Sequence, residues 1–180
     1  MADTPPPALI EVRVRELAQL FNSLDPSPFH ERDLDDDAEA HIVGWARELP
    51  DAPALRIVVH LPPAEAEKAR QRGLAAASAN HFARRAAEEE RNLRDLFWVG
   101  RRYLMVGAPL LIACLFASQL TRSTLGQGPV AQIIQESLII VGWVANWKPI
   151  ETFLYDWWPV RRRRDLFRRL QAADVVIEES

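Results

Sequence analysis

The fold is decided by residues 103–120, which read YLMVGAPLLIACLFASQL and contain no charged side chain. At 1.5 Å per residue, a helix of this length is about as long as the ~30 Å hydrocarbon core of a bilayer is thick. A buried helix of a soluble protein would normally carry a polar stripe, and this segment has none before Ser118 and Gln119. The stretch 103–121 is therefore predicted to be a first membrane span.

A second span is predicted over residues 132–150, although it is less uniform than the first. Glu136 is the one charge between Arg122 and Lys148, and the apolar run that follows it is short. The intervening residues 122–131 contain two glycines and a proline, as expected for the turn of a helical hairpin. We therefore expect a two-helix transmembrane hairpin.

Aromatic and basic residues after the second span predict the membrane boundary. An aromatic belt followed by arginines is typical of an interface with anionic lipid headgroups. Arginines also precede the first span, whereas the turn has only Arg122, so both termini are expected in the cytoplasm. The arginine run lacks interleaved aromatics for base stacking, and no nucleic acid is expected. The predicted interface anchors are Tyr155, Trp157, Trp158, Arg161, Arg162, Arg163 and Arg164.

The charges divide the chain into an acidic N-terminal part, called the head, and a basic part next to the membrane, called the neck. Residues 1–60 hold twelve acidic and five basic side chains, whereas residues 61–128 hold six acidic and ten basic ones. The single cysteine, Cys114, allows no intrachain disulfide and no cysteine-based zinc site. The N-terminus, MADTPPPALI, lacks a basic region and an apolar core, so we expect no cleaved signal and an internal anchor instead.

A small soluble unit is predicted over residues 8–62, after a proline-rich and disordered leader at 1–7. The run LIEVRV alternates apolar and charged residues, which predicts a strand with Ile10, Val12 and Val14 on one face.

The rest of this unit predicts a helix and a second strand. Residues 34–49 open with aspartates, place Ile42, Trp45 and Ala46 on one side, and stop before a proline. Residues 54–61, ALRIVVHL, predict a more buried strand. Strand, helix and strand would form a βαβ-type unit with parallel pairing. Because two strands are marginal in water, we expect cover from the following helix or from another copy.

A long neck helix is predicted over residues 63–101, with Gly73 as its weak point, and a cytoplasmic basic tail over 159–180. The tail predicts an amphipathic helix followed by either a short strand or a frayed end. The neck carries a shallow seam, which would pack either on a partner helix or on the chain's own head. The seam residues are Ala75, Ala79, Phe82, Ala86, Glu89, Leu93 and Leu96.

Two stretches also resemble a known group of proteins. They are LFNSLDPSPFHERDLDDDAEAHIVGWAREL at 20–49 and GWVANWKPIETFLYDWWP at 142–159. They resemble a group of uncharacterised bacterial two-span inner-membrane proteins, over most of the chain from Ile10 onward. The resemblance implies a bacterial inner membrane setting and no activity.

No enzyme or metal site is predicted. Residues 25–41 are rich in acids and histidines, but Ala38 and Gly44 stand where a calcium loop requires glycine and glutamate. The acids are better explained as caps of the following helix. The four histidines share no metal-ligand spacing, and no catalytic motif or phosphate-binding loop is present, so no cofactor is expected.

Three charges within or near the second span, Glu136, Lys148 and Glu151, are the remaining candidates for function. If this span runs from about 132 to 149, they lie near its rims and can snorkel to the headgroups. If Trp157 marks the exit instead, Lys148 and Glu151 lie deep in the membrane. We favour the rim placement because it buries no charge.

Three functions are considered, and a metal enzyme that uses the acidic residues within 25–41 is ranked last because no motif supports it. The first is a non-enzymatic membrane scaffold or adaptor whose cytoplasmic head self-associates or docks a cytoplasmic protein. The second is a small channel or transporter that uses the three membrane charges. Because two helices cannot enclose a pore, that function requires a homo-oligomer.

Overall fold

A computed structural model describes residues 7–49, 54–126 and 128–180, so the predicted leader lies almost wholly outside the described residues. The chain divides into two compact units. The head comprises the described residues within Met1–Glu89 and Arg162–Ser180, and the helix-pair unit comprises those within Glu90–Arg161. The helices and strands are β1 (Ala8–Arg13), α1 (Asp36–Glu48), β2 (Leu55–Leu61), α2 (Pro63–Arg72), α3 (Leu74–Leu125), α4 (Pro129–Ala145), α5 (Trp147–Glu151), α6 (Trp157–Gln171) and β3 (Asp174–Glu179).

The head is built on a three-stranded parallel sheet in the order β1-β2-β3. The predicted parallel pairing of β1 and β2 is confirmed, with Ile10 opposite Ile57. The sequence left the end of the chain open between a strand and a frayed tail, and the structure places it as β3, with Val175 opposite Ile57 on the other side of β2. The additional partner that a two-stranded sheet needs is therefore supplied partly by the chain's own strand β3, which pairs with the second edge of β2.

The core lies between one face of the sheet and the helices. Ile10 and Val12 are buried on the predicted face of β1, and all the apolar residues of β2 are buried. On the opposite face, Leu9, Glu11 and Arg13 of the outer strand β1 are exposed, whereas Val58 of the central strand β2 is buried. The helix residues buried in this core include Ile42, Val43, Ala46, Ala66, Ala69, Leu74, Ala77, Phe82, Ala86, Leu166, Phe167 and Leu170.

Helix α1 begins as its acidic start predicts. Asp35 is the N-cap, and its side chain accepts a hydrogen bond from the Asp37 backbone N–H at 3.1 Å. Ile42 and Ala46 face the core as expected, but Trp45 is 50% exposed. Trp45 follows Ile42 by three residues, so it lies at the margin of the apolar face, where the sheet does not cover it.

The predicted neck helix is two helices. Gly73 has φ 72° and caps the end of α2, and its N–H donates to the Arg70 carbonyl oxygen at 3.1 Å. The seam that follows packs on the chain's own head at two positions, since Phe82 and Ala86 are buried in the head core.

Among the described helices, α3 is long and apolar enough to cross a membrane, as judged by length and composition. It contributes residues 74–89 to the head and 90–125 to the helix-pair unit. Helix α4 is shorter, at 17 residues, or about 26 Å. The molecule is therefore mostly helical, with a small parallel sheet and one long apolar helix.

Candidate functional site

Helices α3 and α4 of the helix-pair unit approach each other closely at two glycines. A β-carbon on Gly142 of α4 would lie 2.8 Å from Leu111 Cδ1 and 3.2 Å from Cys114 Cβ on α3. A β-carbon on Gly107 of α3 would lie 3.0 Å from the Ala145 carbonyl oxygen. Larger residues would push the helices apart, and such close backbone approach is typical of helix pairs in membranes. Helices α3 and α4 therefore pack antiparallel along a seam of small residues.

One buried amide fixes this seam. Asn146, between α4 and α5, donates from Nδ2 to the carbonyl oxygens of Gly107 at 2.8 Å and Gly142 at 3.0 Å. The first bond joins the two helices, and the second lies within the end of α4. Asn146 is 6% exposed, so if these bonds were lost, its buried amide could not bond to water instead. Sequence reasoning missed Asn146, although it is the one amide in the apolar run 137–147.

Large apolar side chains point away from the seam. Only 17% of the most apolar stretch of α3 is buried. The arrangement is the reverse of a soluble core, because small and polar residues are inside and large apolar ones are outside. An exposed apolar surface of this extent requires lipid or protein to cover it. The exposed residues include Met105, Val106, Ile112, Phe116, Leu120, Val130, Ile133, Val141, Trp143 and Val144.

A polar cluster lies beyond the seam, at the end of the second helix. Lys148 Nζ lies 3.2 Å from Glu151 Oε2 and 3.4 Å from Asp156 Oδ2. Buried Thr152 donates from Oγ1 to Asp156 Oδ2 at 3.2 Å. Residues Thr152–Asp156 form one π-helical turn, a feature common at functional sites. The Lys148 side chain is 55% exposed, so its own chain does not enclose the cluster.

Glu136 is not part of this polar cluster. It is exposed on α4, where Gln132 Nε2 donates to its Oε1 at 3.3 Å. Twelve residues separate Glu136 from Lys148, or about 18 Å along a helix. The structure thus brings Lys148 and Glu151 together and keeps Glu136 away from both.

The predicted interface anchors divide between the two units. Tyr155 and Trp158 are exposed, whereas the Trp157 indole Nε1 donates to the Phe153 carbonyl oxygen at 3.0 Å. The Arg161 guanidinium lies 5.7 Å from the centre of the Trp157 ring, within reach of a cation–π interaction. Arg161 belongs to the helix-pair unit.

The other three arginines of the run belong to the head. Arg163 lies 3.4 Å from Glu89 and Arg164 lies 2.7 Å from Asp165. Two of the predicted lipid anchors therefore also form ion pairs within the protein.

The head contains a buried ionic network that the sequence did not indicate. His81, 2% exposed, donates from Nε2 to Glu39 Oε2 at 3.0 Å, and its Nδ1 lies 3.1 Å from Asp33 Oδ1. Arg85 donates to both Glu39 oxygens, to Oε1 at 2.7 Å and to Oε2 at 3.0 Å. Burial alone would raise the pKa of Glu39, but hydrogen bonds from His81 and Arg85 hold that pKa below its ordinary value. The network joins α1 to α3.

Several of the acidic residues between 25 and 41 hold the local backbone in place. Asp25 accepts hydrogen bonds from the backbone N–H groups of Ser27 at 2.9 Å and Asp33 at 2.8 Å. Hydrogen bonds from the Ser27 side chain and the Asp33 backbone lower the pKa of Asp25 to about 2. Asp35 caps α1. Among the described residues, no three His, Cys, Asp or Glu side chains are arranged to hold a metal ion.

Comparisons of the chain with protein families, with curated proteins and with solved structures found no match. Function is therefore inferred from the geometry of the described residues.

Proposed function

We propose that the protein crosses the bacterial inner membrane twice, through α3 and α4, and carries a non-enzymatic scaffold head on the cytoplasmic side. The observation that carries this proposal is the reversed burial of the helix-pair unit. Large apolar side chains face outward around a seam fixed by Gly107, Gly142 and Asn146. Lipid is the covering that suits such a surface, because helix association in membranes depends on close backbone packing and interhelical hydrogen bonds.

The connectivity of the head supports two crossings rather than one. The chain leaves the head after Glu89 and returns at Arg162, and β3 then pairs with β2 in one sheet. Strands of one sheet lie on the same side of a bilayer. If α3 crosses the membrane, the chain must therefore cross it again before β3, and α4 with α5 is the segment available. Both ends of the sheet-forming chain would then lie in one compartment.

The boundaries of the second helix fit this placement. Helix α4 is slightly shorter than the ~30 Å hydrocarbon core, and α5 continues directly after Asn146. The cluster of Lys148, Glu151 and Asp156 then lies at the cytoplasmic rim, where exposed charges remain solvated. Tyr155, Trp158 and the arginines follow as interfacial anchors.

The scaffold role is supported by the incompleteness of the head. All-parallel sheets usually have both faces covered, but here Leu9, Glu11 and Arg13, on the second face of β1, are exposed. Both outer strands, β1 and β3, also have a free edge within the described sheet. Free edges and uncovered sheet faces are surfaces that pair with another chain. We therefore assign the head to self-association or to docking of a cytoplasmic protein.

A second candidate function is a homo-oligomeric channel or transporter component. The observation that favours it is Glu136, whose side chain is exposed on α4 rather than packed in the seam. A charge that faces lipid is costly unless it reaches the headgroups or meets another copy. In an oligomer, Glu136 and Gln132 would line the contact between copies.

Cysteine labelling tests the topology. In a Cys114→Ser background, Thr124→Cys should react with a membrane-impermeant maleimide in intact cells stripped of the outer membrane. Glu16→Cys and Ser180→Cys, on the head, should react only after lysis. Labelling of Ser180→Cys in intact cells, or release of the protein by alkaline carbonate, would contradict the two-span proposal.

The size of the detergent-solubilised full chain distinguishes the two functions. The scaffold predicts association that persists when Glu136 is replaced by Gln, because the contact lies in the head. The channel predicts that Glu136→Gln changes the assembly or abolishes ion flux in proteoliposomes. A monomer at all concentrations would contradict the channel and the self-associating form of the scaffold together.

A further inference from the structure

Strand β1 directs a regular set of backbone groups away from β2, toward its free edge. The N–H of Ala8 bonds the Ala54 carbonyl oxygen at 2.9 Å, and the N–H of Val14 bonds that of His60 at 3.2 Å. Since backbone groups alternate between the two sides of a strand, the even-numbered residues of β1 bond to β2. The odd-numbered residues Leu9, Glu11 and Arg13 therefore direct their N–H and C=O groups toward the free edge.

Open space lies along this edge. A groove of about 850 Å³ runs beside β1 and is also lined by Asp37, His41 and Trp45 of α1. The Trp45 ring is half-exposed there. His41 Nε2 lies 3.4 Å from the Glu11 carbonyl oxygen, a long contact that leaves the carbonyl able to accept another hydrogen bond. The groove thus leaves open space along β1, beside a partly exposed aromatic side chain.

The two charges of β1 make the strand complementary to itself. Glu11 and Arg13 are exposed and 3.6 Å apart. A two-fold axis perpendicular to the sheet would pair β1 with its own copy, and that pairing must be antiparallel. If the axis passes through Val12, Glu11 lies opposite the partner's Arg13 and Arg13 lies opposite the partner's Glu11. All four residues then point their backbone groups at each other, as a hydrogen-bonded antiparallel pair requires.

Neighbouring registers are less favourable. An axis at Glu11 would place two glutamates directly opposite each other, and like charges in that position are destabilising. An axis at Ile10 would place Arg13 opposite the partner's Pro7, which has no N–H to donate. An axis at Arg13 would place two arginines directly opposite each other, which is destabilising for the same reason as two glutamates.

We infer that two copies of this chain join through β1, antiparallel and centred on Val12, to form a continuous six-stranded sheet with Glu11–Arg13 ion pairs across the axis. This inference rests on the proposed self-association of the head and names its surface and partner. The α1 helices of the two copies lie on the same face of that sheet, so each Trp45 loses solvent exposure.

Charge reversal of the full chain in mild detergent tests the pairing. Glu11→Arg and Arg13→Glu should each weaken the dimer at least tenfold, because each places like charges opposite each other at two positions. An equimolar mixture of the two variants should restore the dimer as a heterodimer, since every opposed pair then has opposite charge. The double variant Glu11→Arg/Arg13→Glu should also restore it. Glu67→Arg, which reverses an exposed charge on α2, is the matched control and should leave the dimer unchanged.

The possible results test self-association, the β1 interface and its register separately. Loss of the dimer in the single variants and its recovery on mixing support the pairing. Single variants that remain dimeric would show self-association through another surface and would overturn the β1 interface. Single variants that dissociate but do not recover on mixing would overturn the register and with it the inferred sheet. A monomeric parent chain would overturn the proposed self-association itself. The charge variants test only the interface and its register, so the two failures can be told apart.

Discussion

Asn146 holds the Gly107 carbonyl oxygen at 2.8 Å across a sequence separation of 39 residues. This hydrogen bond ties the end of α4 to Gly107, near the N-terminal end of the apolar stretch 103–120 of α3. The same Nδ2 also bonds the Gly142 carbonyl oxygen. One side chain thus sets both the position of α3 along α4 and the turn that ends α4.

Replacing Asn146 by Leu should destabilise the helix pair by about 0.6 to 2 kcal/mol, the range measured for hydrogen bonds between membrane helices. The isobutyl group fills similar space but cannot donate to Gly107. Gln132→Leu, which removes an exposed amide of α4, is the control and should have little effect. Unfolding of the purified protein in mixed micelles measures the difference, and equal loss in both variants would contradict a role for the Asn146 bonds.

Replacing Gly142 by Ala should separate the helices, because the added β-carbon would lie 2.8 Å from Leu111 Cδ1. We expect a loss of about 1 to 3 kcal/mol, as for other overpacked interiors. Ala113→Val, on the exposed side of α3, is the matched control and should be tolerated. Engineered cysteines across the seam should also cross-link more slowly in Gly142→Ala. Unchanged stability and cross-linking would contradict the close approach.

Acidification should weaken the head through Glu39 and Asp33. Burial raises the pKa of each carboxyl, but hydrogen bonds from His81 with Arg85 or Arg84 lower it further than burial raises it. Their stabilisation is therefore complete above the ordinary pKa values, 4.5 and 3.8, and is lost as pH falls through the lower folded values. Amide hydrogen exchange in β2, followed from pH 6 to pH 3 and corrected for intrinsic rates, measures the loss.

A substitution separates this network from general acid effects. Glu39→Gln should cost about 2 kcal/mol at neutral pH, below the roughly 3 to 5 kcal/mol of a fully buried pair because Arg85 is 41% exposed. It should also flatten the acid dependence, whereas Glu48→Gln, on the same helix, should not. An unchanged acid dependence in Glu39→Gln would exclude the network as its source.

Lys148 and Glu151 should be only weakly coupled in stability. An exposed pair three residues apart on a helix contributes about 0.2 to 0.5 kcal/mol, so replacing both by Gln should change little. If copies of the chain enclose the pair, removing Lys148 alone should cost roughly 3 to 5 kcal/mol, more than removing both. A double-mutant cycle on the purified protein, read together with its size, decides between the rim and a buried assembly.

The elements that were predicted correctly have strong local patterns. Alternation in residues 9–14 marked β1, and the aspartates before residue 38 marked the start of α1. The run ALRIVVHL marked β2 as a buried strand. In each case the pattern lies within one element, so no knowledge of its neighbours was needed.

The features that were missed or left open depend on partners far away in the sequence. The strand β3 is defined by its pairing with β2, for example Arg56 opposite Asp174, 118 residues later. The Glu39–His81 contact spans 42 residues, and no sequence motif indicates it. The need for glycine at positions 107 and 142 becomes visible only when α3 and α4 are placed side by side. Local periodicity cannot encode such relationships.

The parallel pairing of β3 with β2 also imposes an order on biogenesis. Strand β3 follows both long helices in the chain, so the ribosome synthesises it only after it has synthesised those helices. Until then β2 has one unpaired edge in a nascent two-stranded sheet, a state that is marginally stable and open to wrong partners. In the proposed topology, insertion of the helices would thus precede completion of the head, and a chain stalled during insertion would present an unfinished sheet to the cell's chaperones and proteases.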